Sequence, residues 1–196
     1  EVTRACALAC AHCRADAITW RNPLELSTAE GKALLDDLAA LGAPRPIVVL
    51  TGGDPFDRED LTELVRHGHD LGLPMSPSVT PRLTPEALGE LRAAGATAVS
   101  LSLDGATAAT HDAFRGFDGV YADTIEAAGN VRDAGFRLQI NTTVTRDNAH
   151  ELPALLDTAV ALGAGLWSVF LLVPTGRGEQ LVALDRLVKF QPLLEN

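Results

Sequence analysis

Amphipathic stretches and short apolar runs alternate along this chain. The apolar runs have β character and occupy residues 47–50, 98–103, 137–144 and 166–173, and a weaker run broken by prolines occupies residues 73–79. Glycine follows the amphipathic stretches at Gly42, Gly72, Gly95, Gly135 and Gly163. Such a glycine is typical of a helix end, where the next residue turns left-handed. The pattern therefore predicts helices alternating with strands.

Two helix starts can be placed from the sequence. Ser27 and Glu30 have the spacing of a capping box, and Thr84 before Pro85 has the pattern of an N-cap followed by proline at the first helical position. The first of these helices is predicted to share one apolar face among Leu34, Leu35, Leu38 and Leu41.

Alternating strands and helices imply parallel strands joined by right-handed crossovers. With a strand at the chain start, roughly six βα units result, which predicts an α/β fold of the partial (β/α)6 TIM-like barrel type. A flat doubly wound sheet is the main alternative. We interpret residues 1–178 as one core domain and residues 179–196 as a tail that begins a further C-terminal segment. In either fold, chemistry gathers at the carboxyl ends of the strands.

Composition narrows the class of partner. The chain has 196 residues, a net charge of −10 and 46% hydrophobic residues, as in a globular protein. Its acidic charge argues against nucleic acid or an anionic membrane as the partner. We expect a cytoplasmic protein, because no apolar run approaches a membrane span and no signal peptide opens the chain.

The cysteines are the strongest chemical feature. All three, Cys6, Cys10 and Cys13, directly follow the first predicted strand. Thiolates suit iron–sulfur clusters or zinc, and an odd, tight group is a poor disulfide framework. A cluster held by three cysteines leaves one iron open to a small molecule. Zinc held with His12 is an alternative, although His12 is adjacent to Cys13, and cysteines without a metal are another.

Other polar motifs also follow predicted strands. Thr51-Gly52-Gly53-Asp54-Pro55 would bring backbone close to a ligand, or would form a plain turn. Ser102 and Asp104 alternate with apolar residues and share one side of their strand, unless they form an ordinary turn. Candidates with equally plausible structural roles are Asn141, Arg115 and Arg177.

The C-x3-C-x2-C spacing of Cys6, Cys10 and Cys13 resembles the signature of the radical S-adenosylmethionine superfamily, and Gly-Gly-Asp-Pro resembles its Gly-Gly-Glu-Pro motif with a shorter carboxylate. The resemblance implies a [4Fe–4S] cluster on the cysteines, with S-adenosylmethionine on the open iron. Reductive cleavage would then give a 5′-deoxyadenosyl radical that abstracts hydrogen from a substrate. The contacts it implies with this cofactor involve His12, Gly52, Gly53, Asp54, Ser102, Asp104, Asn141 and Val173.

Within the superfamily, the chain resembles the peptide- and tetrapyrrole-modifying branch, including SPASM-type, haem-biosynthesis-like and mycofactocin maturase-like enzymes. This implies a peptide or tetrapyrrole substrate whose carboxylate Arg115 and Arg177 would bind. It also implies a low-potential electron donor such as flavodoxin or ferredoxin. The rival from another class is a non-catalytic zinc-binding or scaffold protein of the same fold.

Overall fold

The strands are parallel, as the pattern predicts. The computed structural model describes residues 1–188, and its strands are β1 (Val48–Leu50), β2 (Met75–Pro77), β3 (Ala98–Ser102), β4 (Arg137–Val144) and β5 (Leu166–Leu171). One parallel sheet pairs β1 with β2, and another has the order β3-β4-β5. A parallel bridge between Ser78 and Ser100 joins the two sheets. The strands therefore follow one another in chain order.

The predicted opening strand is present as a set of bridges. Thr3 pairs in parallel with Gly52, and the Val2 amide donates to the Thr51 carbonyl at 2.7 Å. Residues 2–5 thus lie beside the exit of β1 and take the place of the first of six strands. The strands curve without closing into a complete barrel, which confirms the partial TIM-like fold.

Helices connect the successive strands, and a further helix follows β5. They are α1 (Thr28–Ala40), α2 (Leu61–Asp70), α3 (Pro85–Ala93), α4 (Ala108–Arg115), α5 (Val120–Asp133), α6 (Leu152–Ala161) and α7 (Glu179–Ala183). The capping box of Ser27 and Glu30 is confirmed, and the Thr84 side chain caps α3. The five glycines predicted to end helices all have positive φ.

The predicted apolar face of α1 is partly wrong. Leu35 is buried, but Leu34 is 50% exposed and Leu41 is 73% exposed. The helix packs against α2 along a narrow stripe, so that a residue one position around the helix from Leu35 already faces solvent.

The two faces of β4 separate the core from the cavity. Leu138 and Ile140 are buried among apolar residues of the core. Each such side chain contributes about 1.5–3 kcal/mol of burial free energy. The alternating residues on the other face line a cavity: Gln139, Asn141 and Thr143. The barrel interior at this strand is therefore polar.

The predicted tail begins with α7, and residues 189–196 lie outside the described residues. Its assignment as a separate segment stays a prediction. Within residues 1–188, none of the helices combines the length and the apolar character that crossing a bilayer requires.

Candidate active site at the carboxyl ends of the strands

A cavity of about 520 Å³ opens where the strands end. This volume lies within the range of roughly 300–1,000 Å³ that is usual for small-molecule sites. Cys6, Cys10 and Cys13 line it together with Gly52 and Gly53. The structure therefore brings together the two motifs that the sequence placed after neighbouring strands.

Each cysteine sulfur has an N–H donor. The Leu8 amide lies 3.4 Å from Cys6 Sγ, the Ala17 amide lies 3.4 Å from Cys13 Sγ, and Arg115 Nη1 lies 3.6 Å from Cys10 Sγ. Such donors favour the anionic thiolate, which is the metal-binding form of cysteine. All three cysteines are free thiols.

The pKa of the Cys6 thiol reflects its burial in the site. Burial raises the pKa of its thiol to about 11; the Leu8 amide opposes this shift, while Cys10, Asp54 and Cys13 add to it. A metal or cluster must therefore displace the proton on binding.

Arg115 is a buried cation beside Cys10. Burial alone would lower the pKa of its guanidinium, but Asp104 and the Cys10 thiol outweigh burial and raise the pKa. Arg115 Nη2 forms an ion pair with Asp104 Oδ2, and Asp104 Oδ1 accepts a hydrogen bond from the Thr143 amide at 2.7 Å. The predicted substrate-binding residue thus contacts a cysteine and a carboxylate of the chain itself, although it also lines the cavity.

His12 lines the cavity and lies against the ring of Phe114. Its ring centroid is 4.5 Å from that of Phe114, and its Nε2 is 4.0 Å from Asp104 Oδ2. Burial is the main cause that lowers the pKa of His12 to about 4, with Asp104 opposing and Arg115 assisting the shift. His12 is therefore neutral near pH 7.

A second buried histidine supports Asp104. The Asp104 amide donates to His111 Nδ1 at 3.0 Å, which leaves the proton of the neutral ring on Nε2, 3.4 Å from Thr124 Oγ1. Burial first, and Arg115 second, lower the pKa of His111 to about 4.

The glycines of the second motif approach backbone rather than open space. A Cβ on Gly52 would lie 2.2 Å from the Thr3 carbonyl oxygen, and one on Gly53 would lie 2.0 Å from that of Ala5. The close approach that the structure gives for these glycines is therefore to the opening segment. Their predicted contact with a cofactor stays a prediction.

The carboxylate of the same motif is buried behind the cavity wall. Asp54 is 4% exposed, and its Oδ1 accepts a hydrogen bond from the Phe56 amide at 3.2 Å. Thr80 Oγ1 donates to its Oδ2. Thr80 was not predicted to have a role, although its position after β2 was an available signal.

The remaining predicted residues, Ser102, Asn141 and Val173, also line the cavity. Ser102 ends β3, Asn141 lies within β4, and Val173 follows β5. Gln139 Nε2 donates to Asn141 Oδ1 at 2.8 Å and to Ser168 Oγ at 3.2 Å. Gln139 was not predicted as a site residue, although its alternation with Asn141 and Thr143 along one strand was a usable signal.

Arg177 is turned toward the cysteine loop. Its Nε donates to the Cys10 carbonyl at 3.0 Å, and its Nη1 donates to the Ala17 carbonyl at 2.7 Å. These contacts occupy part of the guanidinium that was predicted to bind a substrate carboxylate.

The donor set fits an iron–sulfur cluster. Three thiols with N–H donors face one cavity, and a cubane requires one thiolate on each of three irons rather than convergence on one point. Among residues 1–188, no group of three or more His, Cys, Asp and Glu side chains is arranged around a single metal ion. His12 Nδ1 and Arg177 Nη2 are buried, with no hydrogen-bond partner in this part of the chain.

Sequence comparison gives a consistent family. The model of the radical SAM superfamily matches residues 1–159. An AdoMet-dependent heme synthase of Nitratidesulfovibrio vulgaris is 48% identical over 183 residues, covering 92% of this chain and 49% of that protein. Mycofactocin maturase MftC of Mycolicibacterium smegmatis is 38% identical, covering 91% of this chain and 45% of that protein. The chain spans about half the length of these relatives.

Solved structures agree on the fold. Streptococcus suis SuiB bound to S-adenosylmethionine superposes with a TM-score of 0.73 at 17% identity, covering 86% of this chain and 39% of SuiB. Methylornithine synthase (PylB) superposes with a TM-score of 0.74 at 20% identity, covering 89% of this chain and 52% of that one. These likenesses show the shared fold.

Proposed function

Because this chain belongs to the radical SAM superfamily of enzymes, we propose that Cys6, Cys10 and Cys13 hold a [4Fe–4S] cluster and that the adjoining cavity binds S-adenosylmethionine. The observation that carries the proposal is the environment of the three sulfurs. Each has an N–H donor, and all three line one cavity at the strand ends.

When bound, the cluster and S-adenosylmethionine together supply reductive cleavage of a sulfonium bond, and so a 5′-deoxyadenosyl radical for hydrogen abstraction. The chain provides binding, orientation and shelter from water. Arg115 and the Leu8 and Ala17 amides stabilise the thiolates, and the buried Asp104 fixes Arg115.

We propose that the residues predicted from the sequence contact the cofactor in this cavity. The proposal is supported by six of them that line the cavity: His12, Gly52, Gly53, Ser102, Asn141 and Val173. Asp54 and Asp104 act from behind the wall, where they hold the turn after Gly53 and the guanidinium of Arg115.

The favoured substrate is a tetrapyrrole. Its support is the identity of 48% and 42% to heme synthases of Nitratidesulfovibrio vulgaris and Methanosarcina barkeri. A peptide is the second candidate, supported by the 38% identity to a mycofactocin maturase. A low-potential flavodoxin or ferredoxin in a reducing cytoplasm would supply the electron.

The test begins with the metal. Anaerobic reconstitution should give about four irons and four sulfides per chain, and Cys10→Ala should lose both. A colourless protein with bound zinc would contradict the proposal and favour the non-catalytic rival.

The substrate is then tested by stimulation. An iron-containing porphyrin with propionate side chains should increase 5′-deoxyadenosine formation by the reconstituted protein, and a precursor peptide should not. Stimulation by the peptide and not by the porphyrin would contradict the tetrapyrrole and favour a peptide as the substrate.

A further inference from the structure

The segment after β5 reaches back to the loop that carries the cysteines. The Arg177 amide donates to the Cys13 carbonyl at 3.0 Å. The Arg177 side chain donates to the Cys10 carbonyl at 3.0 Å and to the Ala17 carbonyl at 2.7 Å. One residue therefore contacts the loop at three points that span two of its cysteines.

The approach is close enough to require glycine before the arginine. Gly176 has a φ of +57°, and a Cβ there would lie 2.5 Å from the Cys13 carbonyl oxygen and 2.6 Å from that of Arg14. The segment thus packs directly on loop backbone.

The loop has few strong hydrogen bonds of its own. The Cys13 amide donates to the Cys10 carbonyl at 3.2 Å, and the Asp16 amide donates to the Cys13 carbonyl at 3.3 Å. The first distance is at the upper limit of the usual range for such bonds and the second is just beyond it. The loop therefore depends on contacts from elsewhere for its conformation.

Arginine suits this task better than lysine does. Its planar guanidinium presents several donors in a fixed geometry, so that one side chain can hold two carbonyl groups at once. An ammonium on a flexible stem is a single point of charge and lacks this fork.

We propose that Arg177 is a positioning residue that holds the Cys10–Ala17 loop in the conformation that binds the cluster, and so links the last strand of the open barrel to the first. The proposal rests on the proposed function for the cluster itself. It gives Arg177 a role that does not require contact with substrate.

The test compares Arg177→Gln and Arg177→Lys with Arg146→Gln in the full chain. Arg146 is the matched control, because it is a 52% exposed arginine that donates to the Asp185 carbonyl at 3.1 Å. Three properties are measured: iron release to a chelator, the EPR spectrum of the reduced cluster, and hydrogen exchange of the peptide covering residues 6–18.

Arg177→Gln should release iron roughly 10- to 100-fold faster than the parent, as is usual when a residue supporting a ligand is lost. Its retained cluster should have an altered EPR spectrum, and its cluster-free loop should exchange faster. Arg177→Lys should follow it, and Arg146→Gln should match the parent. A variant that merely folds less well would give a weaker signal with the parental line shape.

Parental iron release, EPR spectrum and loop exchange in Arg177→Gln would overturn the proposal. Parental behaviour in Arg177→Lys would overturn the argument from the guanidinium fork. If the parent itself took up no cluster, the proposed function would fail, while exchange in the cluster-free protein would still test the loop contact.

Discussion

Replacing Asp104 with Asn should lower the free energy of unfolding far more than the similar shape of the two side chains suggests. Asp104 is fully buried, and Arg115 is 9% exposed. Asparagine keeps an oxygen for the Thr143 amide but removes the negative charge that faces Arg115. The guanidinium would then be buried without its carboxylate partner, and it would keep the contact of Nη1 with Cys10 Sγ at 3.6 Å.

The magnitude follows from this uncompensated charge. Removing one partner of a buried ion pair costs about 3–5 kcal/mol. For a chain of this size, each kcal/mol shifts Tm by about 2–4 °C, so that Tm should fall by roughly 6–20 °C. The free energy of unfolding of a domain is about 5–15 kcal/mol, so the predicted loss is a large fraction of the total stability.

The assay is urea unfolding of the cluster-free protein under anaerobic, reducing conditions. Asp133→Asn is the control, because that carboxylate is 74% exposed and 3.5 Å from Arg132; it should change stability by less than about 0.5 kcal/mol. Adding Arg115→Gln to Asp104→Asn should restore part of the loss, because the unpaired charge is then gone. Two results would refute this reasoning. One is that the effects of Asp104→Asn and Arg115→Gln on the free energy of unfolding simply add in the double variant, and the other is a loss below about 1 kcal/mol for Asp104→Asn.

Two further predictions concern residues that support the site. Gly53→Ala should cost about 1–3 kcal/mol by overpacking, because its Cβ would lie 2.0 Å from the Ala5 carbonyl oxygen. The helical control Gly89→Ala, where a Cβ meets open space, should be neutral or stabilising by up to about 1 kcal/mol in the same unfolding assay. Equal effects of the two substitutions on stability would contradict the close approach at Gly53. Burial would raise the pKa of Glu25, but hydrogen bonds from the Arg4 amide and other donors outweigh burial and lower the pKa from its ordinary value. The stabilising effect of Glu25 is therefore full above the unfolded pKa and is lost as pH falls through the folded pKa. Glu25→Gln should therefore flatten the acid side of the stability profile, measured by Tm from pH 6 down to about pH 3, and an unchanged profile would contradict the assignment.

Local sequence signals were sufficient to predict the strand positions and the place of the cysteines in the fold. The run at residues 137–144 coincides with β4, and the cysteines line the cavity because they follow a strand that ends there. Both features depend on patterns only a few residues long, which the sequence displays directly.

Partners distant in the chain could not be predicted in this way. Arg115 contacts a cysteine 105 positions away, and Arg177 contacts one 167 positions away. Either arginine looked free to bind a substrate, because nothing near it in sequence carries the groups that it contacts. The same holds for Gly52 and Gly53, whose neighbours belong to the opening segment.

Formation of 5′-deoxyadenosine tests the central claim most directly. The full chain, reconstituted anaerobically and reduced with dithionite, should convert S-adenosylmethionine to 5′-deoxyadenosine and methionine, even slowly and without substrate. Cys6→Ala, Cys10→Ala and Cys13→Ala should each form none above the level of the cluster-free protein. Equal product from the parent and from any of these variants would contradict the account.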